Sequence, residues 1–266
     1  MERKDYWNQT YVDYYKARVK ESNIEKQDAS KLVEGDVKVA DDHVAEVFFD
    51  QVAYAPGMKL LDFGCSWGRF SPFFRKKGVD YYGIDISEQM ISSALEDYPD
   101  LEERLFVAEG EHMPFPYGFF DRIICYGTFD ACYQESALAE MLRVLKKGGC
   151  VLISGKNDNY FDDDDKALLA EHNARKKGHP NYFTNVPAMQ EALVRSHVSV
   201  PYAEYFLRRG DMGKLAFSRV MPEQFYEYRL VLEKEGDEEN YAFPSFSDAY
   251  SATYRRIAHT GEARFA

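Results

Sequence analysis

The chain is poor in several things, and each shortage excludes a class of protein. Only 4 of its 266 residues are cysteine and 2 are tryptophan. Cys65, Cys125, Cys132 and Cys150 form no C-x-x-C pair, and each sits in or beside an apolar segment. That pattern fits buried thiols in a reducing compartment and gives neither a zinc motif nor a disulfide framework. No apolar run approaches the roughly 20 residues a membrane span needs. The start, Met1-Glu2-Arg3-Lys4-Asp5, lacks the apolar centre of a signal peptide. A cytoplasmic location and no membrane partner are expected. Basic residues are also short, 33 against 45 acidic, for a formal charge of -12. A long phosphate-binding face needs clustered Lys and Arg, so no nucleic-acid partner is expected.

What is present reads as globular material. Apolar residues make up 45% of the chain, enough for a substantial core in one large domain or one domain with an insertion. Residues 1–55 read as mainly helical. Trp7, Tyr11, Tyr14, Tyr15 and Arg18 recur at helical spacing, and Val39, Val44, Val47 and Phe48 repeat the pattern across 37–52. Strands then alternate with helices. The pattern predicts strands over 58–63, 80–84, 105–108, 119–125 and 150–154. It predicts helices over 66–77, 87–97 (capped by Ser87) and 137–145, the last ended by Gly148-Gly149. That order implies a parallel sheet covered on both faces. Residues 157–185 turn acidic, then basic, then turn-rich, as an insertion over the top of the sheet. A helix over 186–197 and an antiparallel edge pair over 198–207 and 225–232 follow. Residues 233–240 read as a charged turn, and the tail carries Tyr241, Phe243, Phe246, Tyr250 and Tyr254, which can pack back on the body.

The strongest chemical signal is Leu60-Leu61-Asp62-Phe63-Gly64-Cys65-Ser66-Trp67-Gly68, a strand running into a glycine turn ahead of a helix. Glycine lets a ligand approach the backbone closely, and a helix start presents unpaired N–H groups. Asp85 ends the second strand, roughly 20 residues beyond the turn, where a carboxylate can accept both hydroxyl hydrogens of a ribose. Glu109-Gly110-Glu111-His112-Met113-Pro114-Phe115 follows the third strand, and Phe120-Asp121 opens the fourth. Arg143-Val144-Leu145-Lys146-Lys147-Gly148-Gly149 closes the set. Each segment alone also occurs as an ordinary core turn or helix cap; in this order and spacing they are specific.

The ordered set resembles class I S-adenosylmethionine-dependent methyltransferases of the type 11/25 kind, over about residues 58–155. That group carries a D-A-x-x-L-P-F segment and an R-V-L-K-P-G-G segment. The resemblance implies an α/β, Rossmann-like three-layer sandwich. Its seven-stranded, mostly parallel sheet would have an antiparallel last strand, with an N-terminal helical lid and an insertion after the fifth strand. The chain would then divide into a lid (1–55), a cofactor-binding core (56–156), an acceptor cap (157–186), the remainder of the core (187–234) and a C-terminal tail (235–266). The implied cofactor is S-adenosyl-L-methionine, leaving as S-adenosyl-L-homocysteine. Asp62, Gly64, Cys65, Ser66 and Gly68 would line its methionine part, with Ser66 standing where the family usually has glycine. Asp85 would hold the ribose, with Ile86 and Met90 beside the adenine. Glu109, Gly110 and Glu111 stand at the adenine amino group, where the family has an Asp-Ala pair. Cys125 would lie beside the sulfonium, and Tyr15 and Arg18 of the lid would close over the cofactor.

A nicotinamide dehydrogenase shares this fold and the ribose acid. Its G-x-G-x-x-G fingerprint is absent, and Asp62 beside the loop would repel a pyrophosphate while suiting an ammonium and a sulfonium. Methyl transfer needs alignment first, and a base only for a hydroxyl or ammonium acceptor. Tyr126, Asp130, Tyr133, His112 and Lys156 are the candidates, sitting at predicted strand tips. Asp130 and Tyr133 also read as capping and packing residues, and His112 as a solvated loop histidine. Arg175, Lys176, Lys177 and His179, or Arg208 with Arg209, could recognise an anionic group on the acceptor or lie on the surface. The run Asp162–Asp165 reads as solvated, and no metal is expected. The expected partner is a small-molecule or sugar acceptor, methylated at oxygen or nitrogen by a monomer or homodimer. The alternative is an inactive fold relative serving as a cofactor-binding or protein-interaction module; intact Asp62, Gly64, Gly68 and Asp85 weigh against it.

Overall fold

A computed structural model describes residues 3–8, 16, 20 and 41–259. Tyr11, Tyr14, Tyr15 and Arg18 lie outside the described residues. Among the described residues, helices α1 (Arg3–Trp7) and α2 (Asp41–Phe49) precede the sheet. The α/β alternation then runs β1 (Lys59–Phe63), α3 (Ser71–Lys76), β2 (Asp80–Asp85), α4 (Glu88–Asp97), β3 (Leu105–Val107), β4 (Phe120–Cys125), α5 (Gln134–Val144) and β5 (Leu145–Lys156). It continues as α6 (Asp165–Lys176), β6 (Phe183–Thr184), α7 (Val186–Arg195), β7 (Val198–Phe206), β8 (Glu227–Lys234), β9 (Ser247–Asp248) and α8 (Ala252–His259).

Seven strands make one sheet in the order β3-β2-β1-β4-β5-β8-β7. The first five in chain order pair in parallel, and β8 runs antiparallel between β5 and β7. The predicted Rossmann-like sheet is therefore present, with its antiparallel strand one place in from the edge. Parallel strands are covered on both faces and read as continuous apolar runs. Here the two faces are distinct. Leu61, Phe63, Ile123, Cys125 and Ile153 pack towards α5 and α7. Leu60, Ile124 and Leu152 pack towards α2, α3 and α4.

Two local expectations are corrected. The helix expected from Ser66 starts only at Ser71. Gly64, Ser66 and Gly68 each take positive φ, at 78°, 53° and 72°, and alternate left-handed residues cannot continue a right-handed helix. The second concerns Gly148-Gly149, which do not end α5. That helix stops at Val144 and β5 begins at the next residue. The pair instead lies within β5, where the register against β4 shifts: Phe120 faces Leu145 and Arg122 faces Cys150. Glycines at such a bulge supply the backbone freedom it needs.

The insertion and the tail fold together. β6 pairs antiparallel with β9, Phe183 opposite Asp248. Glu171 on α6 is buried and accepts from Tyr160 Oη at 2.7 Å, Ser251 Oγ at 2.7 Å and Ser251 N at 3.0 Å. Glu135 in the first turn of α5 accepts from Phe246 N at 2.7 Å and Ser247 N at 2.8 Å. The aromatic tail thus packs back on the body, Phe246 joining the main core.

Candidate active site

Strand order reverses between β1 and β4, so the connections on either side leave in opposite directions and open a crevice at the carboxyl ends of the strands. A cavity of about 460 Å³ lies there, in the range of small-ligand sites. Its floor is the glycine turn after β1. A Cβ on Gly64 would stand 2.4 Å from the Thr128 side chain, so only glycine fits between the two loops. Ser66 adopts the left-handed conformation in place of the family's glycine. Its N–H donates to Asp85 Oδ2 at 2.9 Å and its hydroxyl to Met90 Sδ at 3.2 Å. These two partners hold a conformation a serine otherwise disfavours.

Asp85 ties the end of β2 to that turn. Its Oδ1 also accepts from Ser87 N at 2.9 Å, and Ser87 in turn caps α4. Each carboxylate oxygen has one backbone donor and keeps capacity for another. Burial pushes this carboxyl up to about 6, against the two N–H donors that lower it. A ribose diol is a fitting donor pair for such a group. Gly110 serves close approach as well: a Cβ there would fall 1.9 Å from the Phe63 ring.

Of the residues predicted to hold the cofactor, Gly64, Cys65, Ser66, Asp85, Ile86, Met90, Gly110 and Glu111 stand on the cavity wall. Asp62, Gly68, Glu109 and Cys125 do not. Asp62 is 3% exposed beneath the turn, accepting from Tyr81 Oη at 2.7 Å. Gly68 packs against Tyr98, whose ring would lie 3.2 Å from a Cβ. Glu109 points outward, 4.0 Å from Arg3. Cys125 is buried on the α5 face of the sheet, because neighbouring strand residues alternate faces; Tyr126, the next residue, reaches the cavity instead. Tyr15 and Arg18 lie outside the described residues.

Of the proposed catalytic set, Tyr126 and Asp130 line the cavity. Tyr133 is 55% exposed and stacks under the Arg3 guanidinium at 4.7 Å. His112 is exposed and away from the wall. Both are corrected to surface positions: the turn after β3 and the N-cap of α5 carry them past the rim.

Several wall residues come from far along the chain. Arg3 bonds both oxygens of Glu111, at 2.6 Å to Oε2, while Lys4 pairs with Glu88 at 3.0 Å. Helix α1 therefore lies across the cavity and sets Trp7 on its wall. Opposite Trp7 stands His179 from the insertion, its Nδ1 2.9 Å from Tyr6 Oη. Burial pulls the His179 pKa below its usual value. Lys156 at the end of β5 pairs with Asp130 and donates to Asn181 Oδ1 at 2.8 Å. Burial lowers the Lys156 pKa, but Asp130, Tyr226 and Glu227 together outweigh it and hold the ammonium above its usual value. Arg69 on the turn pairs with Asp42 at 2.7 Å. Lys156, a strand-tip candidate in the sequence, lines the wall as Tyr126 and Asp130 do; His179 was a candidate for recognising an anionic group, Trp7 was read only as part of a helical pattern, and Arg3 carried no local signal.

Residues 61–153 match the methyltransferase domain family, and this segment holds the glycine turn, Asp85 and most of the cavity wall. The particular relatives agree on the domain and differ in what they methylate. Ubiquinone/menaquinone biosynthesis C-methyltransferase UbiE of Bordetella parapertussis is 34% identical over 109 residues, covering 39% of this chain and 42% of that one. Malonyl-(acyl-carrier protein) O-methyltransferase of Pectobacterium atrosepticum is 27% identical over 110 residues, covering 40% of this chain and 42% of its own. The chain thus spans less than half the length of these curated relatives. Among solved structures, geranyl diphosphate C-methyltransferase from Streptomyces coelicolor A3(2) superposes with a TM-score of 0.58 at 16% identity, over 73% of this chain and 79% of that one. That likeness concerns the fold.

Proposed function

We propose that the chain transfers the methyl group of S-adenosylmethionine to an oxygen or nitrogen of a small molecule or sugar unit. The observation that carries this reading is the cavity at the switch point, with Asp85 fastening the glycine turn and facing the same space. The cofactor supplies a methyl carbon already activated by a sulfonium. The chain's own residues bind, orient and exclude water. Asp85 holds the ribose, Ile86 and Met90 flank the adenine, Gly110 and Glu111 border its amino edge, and the turn Gly64-Cys65-Ser66 receives the methionine part. Tyr126, Asp130 and Lys156 face the remaining volume and position the acceptor.

A carbon acceptor is the second reading, favoured by the C-methyltransferases among the relatives. Calorimetric titration with S-adenosylmethionine and S-adenosylhomocysteine tests the cofactor. Asp85→Asn should weaken binding about 10- to 100-fold, the loss of one charge-assisted hydrogen bond of about 1.5–3 kcal/mol. A folded wild-type protein that binds neither compound would sink the enzyme reading in favour of an interaction module. The atom methylated is then read from product mass and carbon-13 shift.

A further inference from the structure

We infer that the acceptor is a neutral hydroxylated aromatic ring, a phenol in the broad sense, lying against Trp7 with its hydroxyl received by His179. The inference rests on the methyl-transfer reading and deepens it. Two observations carry it, one of charge and one of geometry.

The charge observation is that every cation on the cavity wall among the described residues already faces a carboxylate. Arg3 meets Glu111, Arg69 meets Asp42 and Lys156 meets Asp130. An anionic acceptor would have to break one of these part-buried pairs, leaving a charge uncompensated at considerable cost. A neutral acceptor needs no such exchange.

The geometric observation is the cluster of Tyr6, Trp7 and His179. The three rings meet edge to face, centroids 5.1–5.2 Å apart. Trp7 and His179 both stand on the wall, so the cluster sets an indole ring beside an imidazole there. In the tautomer whose Nδ1–H donates to Tyr6 Oη, Nε2 keeps its lone pair. The groups acting on the ring are consistent with a neutral imidazole. Burial disfavours its cation most; Asp130 favours it, and Lys156 on β5 and Lys177 after α6 disfavour it, so the pKa lies below the usual value.

The step balances without a further reagent. The phenol O–H bond breaks and its proton passes to His179 Nε2. The freed oxygen pair forms the bond to the methyl carbon as that carbon's bond to sulfur breaks. The bonding pair stays on sulfur, giving a neutral thioether. His179 returns its proton to solvent when the product leaves. Tyr6 acts as a positioning residue that sets the tautomer.

The test uses the full chain, S-adenosylmethionine and four probes: phenol, catechol, benzylamine and cyclohexanol. Binding is followed through Trp7 and Trp67, the 2 tryptophans of the chain, both on the wall, and turnover by mass. We expect phenol or catechol to be methylated and the other two not. His179→Gln should lower kcat about 10²–10⁴-fold, the usual worth of a positioned base, with affinity for S-adenosylhomocysteine unchanged. It should also abolish the fall in kcat/KM at low pH, where the imidazole protonates. Tyr6→Phe should lower kcat by less and keep that limb. Turnover of the amine alone, an unaffected His179→Gln, or no turnover of either phenol by a protein that binds S-adenosylhomocysteine overturns the inference and spares the parent reading. Failure to bind S-adenosylhomocysteine removes both.

Discussion

Asp62 shows how one residue's role depends on which way the turn beside it folds. Its carboxyl is 3% exposed and has one neutral donor, Tyr81. Burial pushes it up to about 7, from 3.8 for a free side chain, and the Asp85 charge adds to the rise. An acid whose pKa is raised on folding holds more protons in the native state. Its contribution is therefore fully present below about pH 4 and is lost as pH rises towards 7. Asp62→Asn, which cannot ionise, should gain stability relative to the wild type across that window. Urea midpoints at four or five pH values would show it; a pH-independent difference would mean that Asp62 is ionised in the native state throughout. Asp85 was legible because everything that fixes it is local: the strand end, the Ser87 cap and the turn 19 residues earlier. The wrong assignment of Cys125 has an equally local cause, since a strand tip read without its pleat leaves the facing residue open by one. His179 was visible as a residue and its use was not, because its partner Tyr6 lies 173 residues away.

At the scale of elements, the junction of α5 and β5 is the least ordinary. The helix passes into the strand with no loop and no glycine cap. Carbonyls at a helix end need partners, and Lys234 from β8 supplies them. Its buried Nζ donates to Leu142 O at 2.9 Å and Leu145 O at 3.1 Å. A cation also suits the negative end of the helix dipole. Lys234→Met keeps the apolar stem and removes both bonds. It should cost about 1.5–3 kcal/mol, the range for hydrogen bonds to a charged group, read as a lower denaturation midpoint with the sheet's far-ultraviolet signal retained. A change within experimental scatter would show that water replaces the ammonium. The sequence placed this helix and strand correctly and mistook their boundary. Gly148-Gly149 looked like a helix stop, and only the neighbouring strands reveal that the helix needs none.

For the whole molecule, the insertion and the tail behave as one unit although more than 60 residues separate β6 from β9. Glu171 is the centre of that unit, gathering Tyr160, Ser251 and Arg175 out of water. Glu171→Ala leaves a part-buried cation and two hydroxyls without this shared acceptor. It should destabilise the unit by about 3–5 kcal/mol, as broken buried pairs do. Limited proteolysis should then cut between residues 235 and 251 before the core is touched. Uncut tail in a fully folded variant would refute the coupling. By itself, the order of apolar runs and turn residues determined the fold class, the glycine turn and the acid at the end of β2, because each is set by neighbours within about 20 residues along the chain. Tertiary structure alone decided which residues complete the cavity. Arg3, Trp7 and His179 meet there because α1 and the insertion, more than 150 residues apart in the chain, close over the switch point, and a contact across such a separation leaves no periodic trace in the sequence.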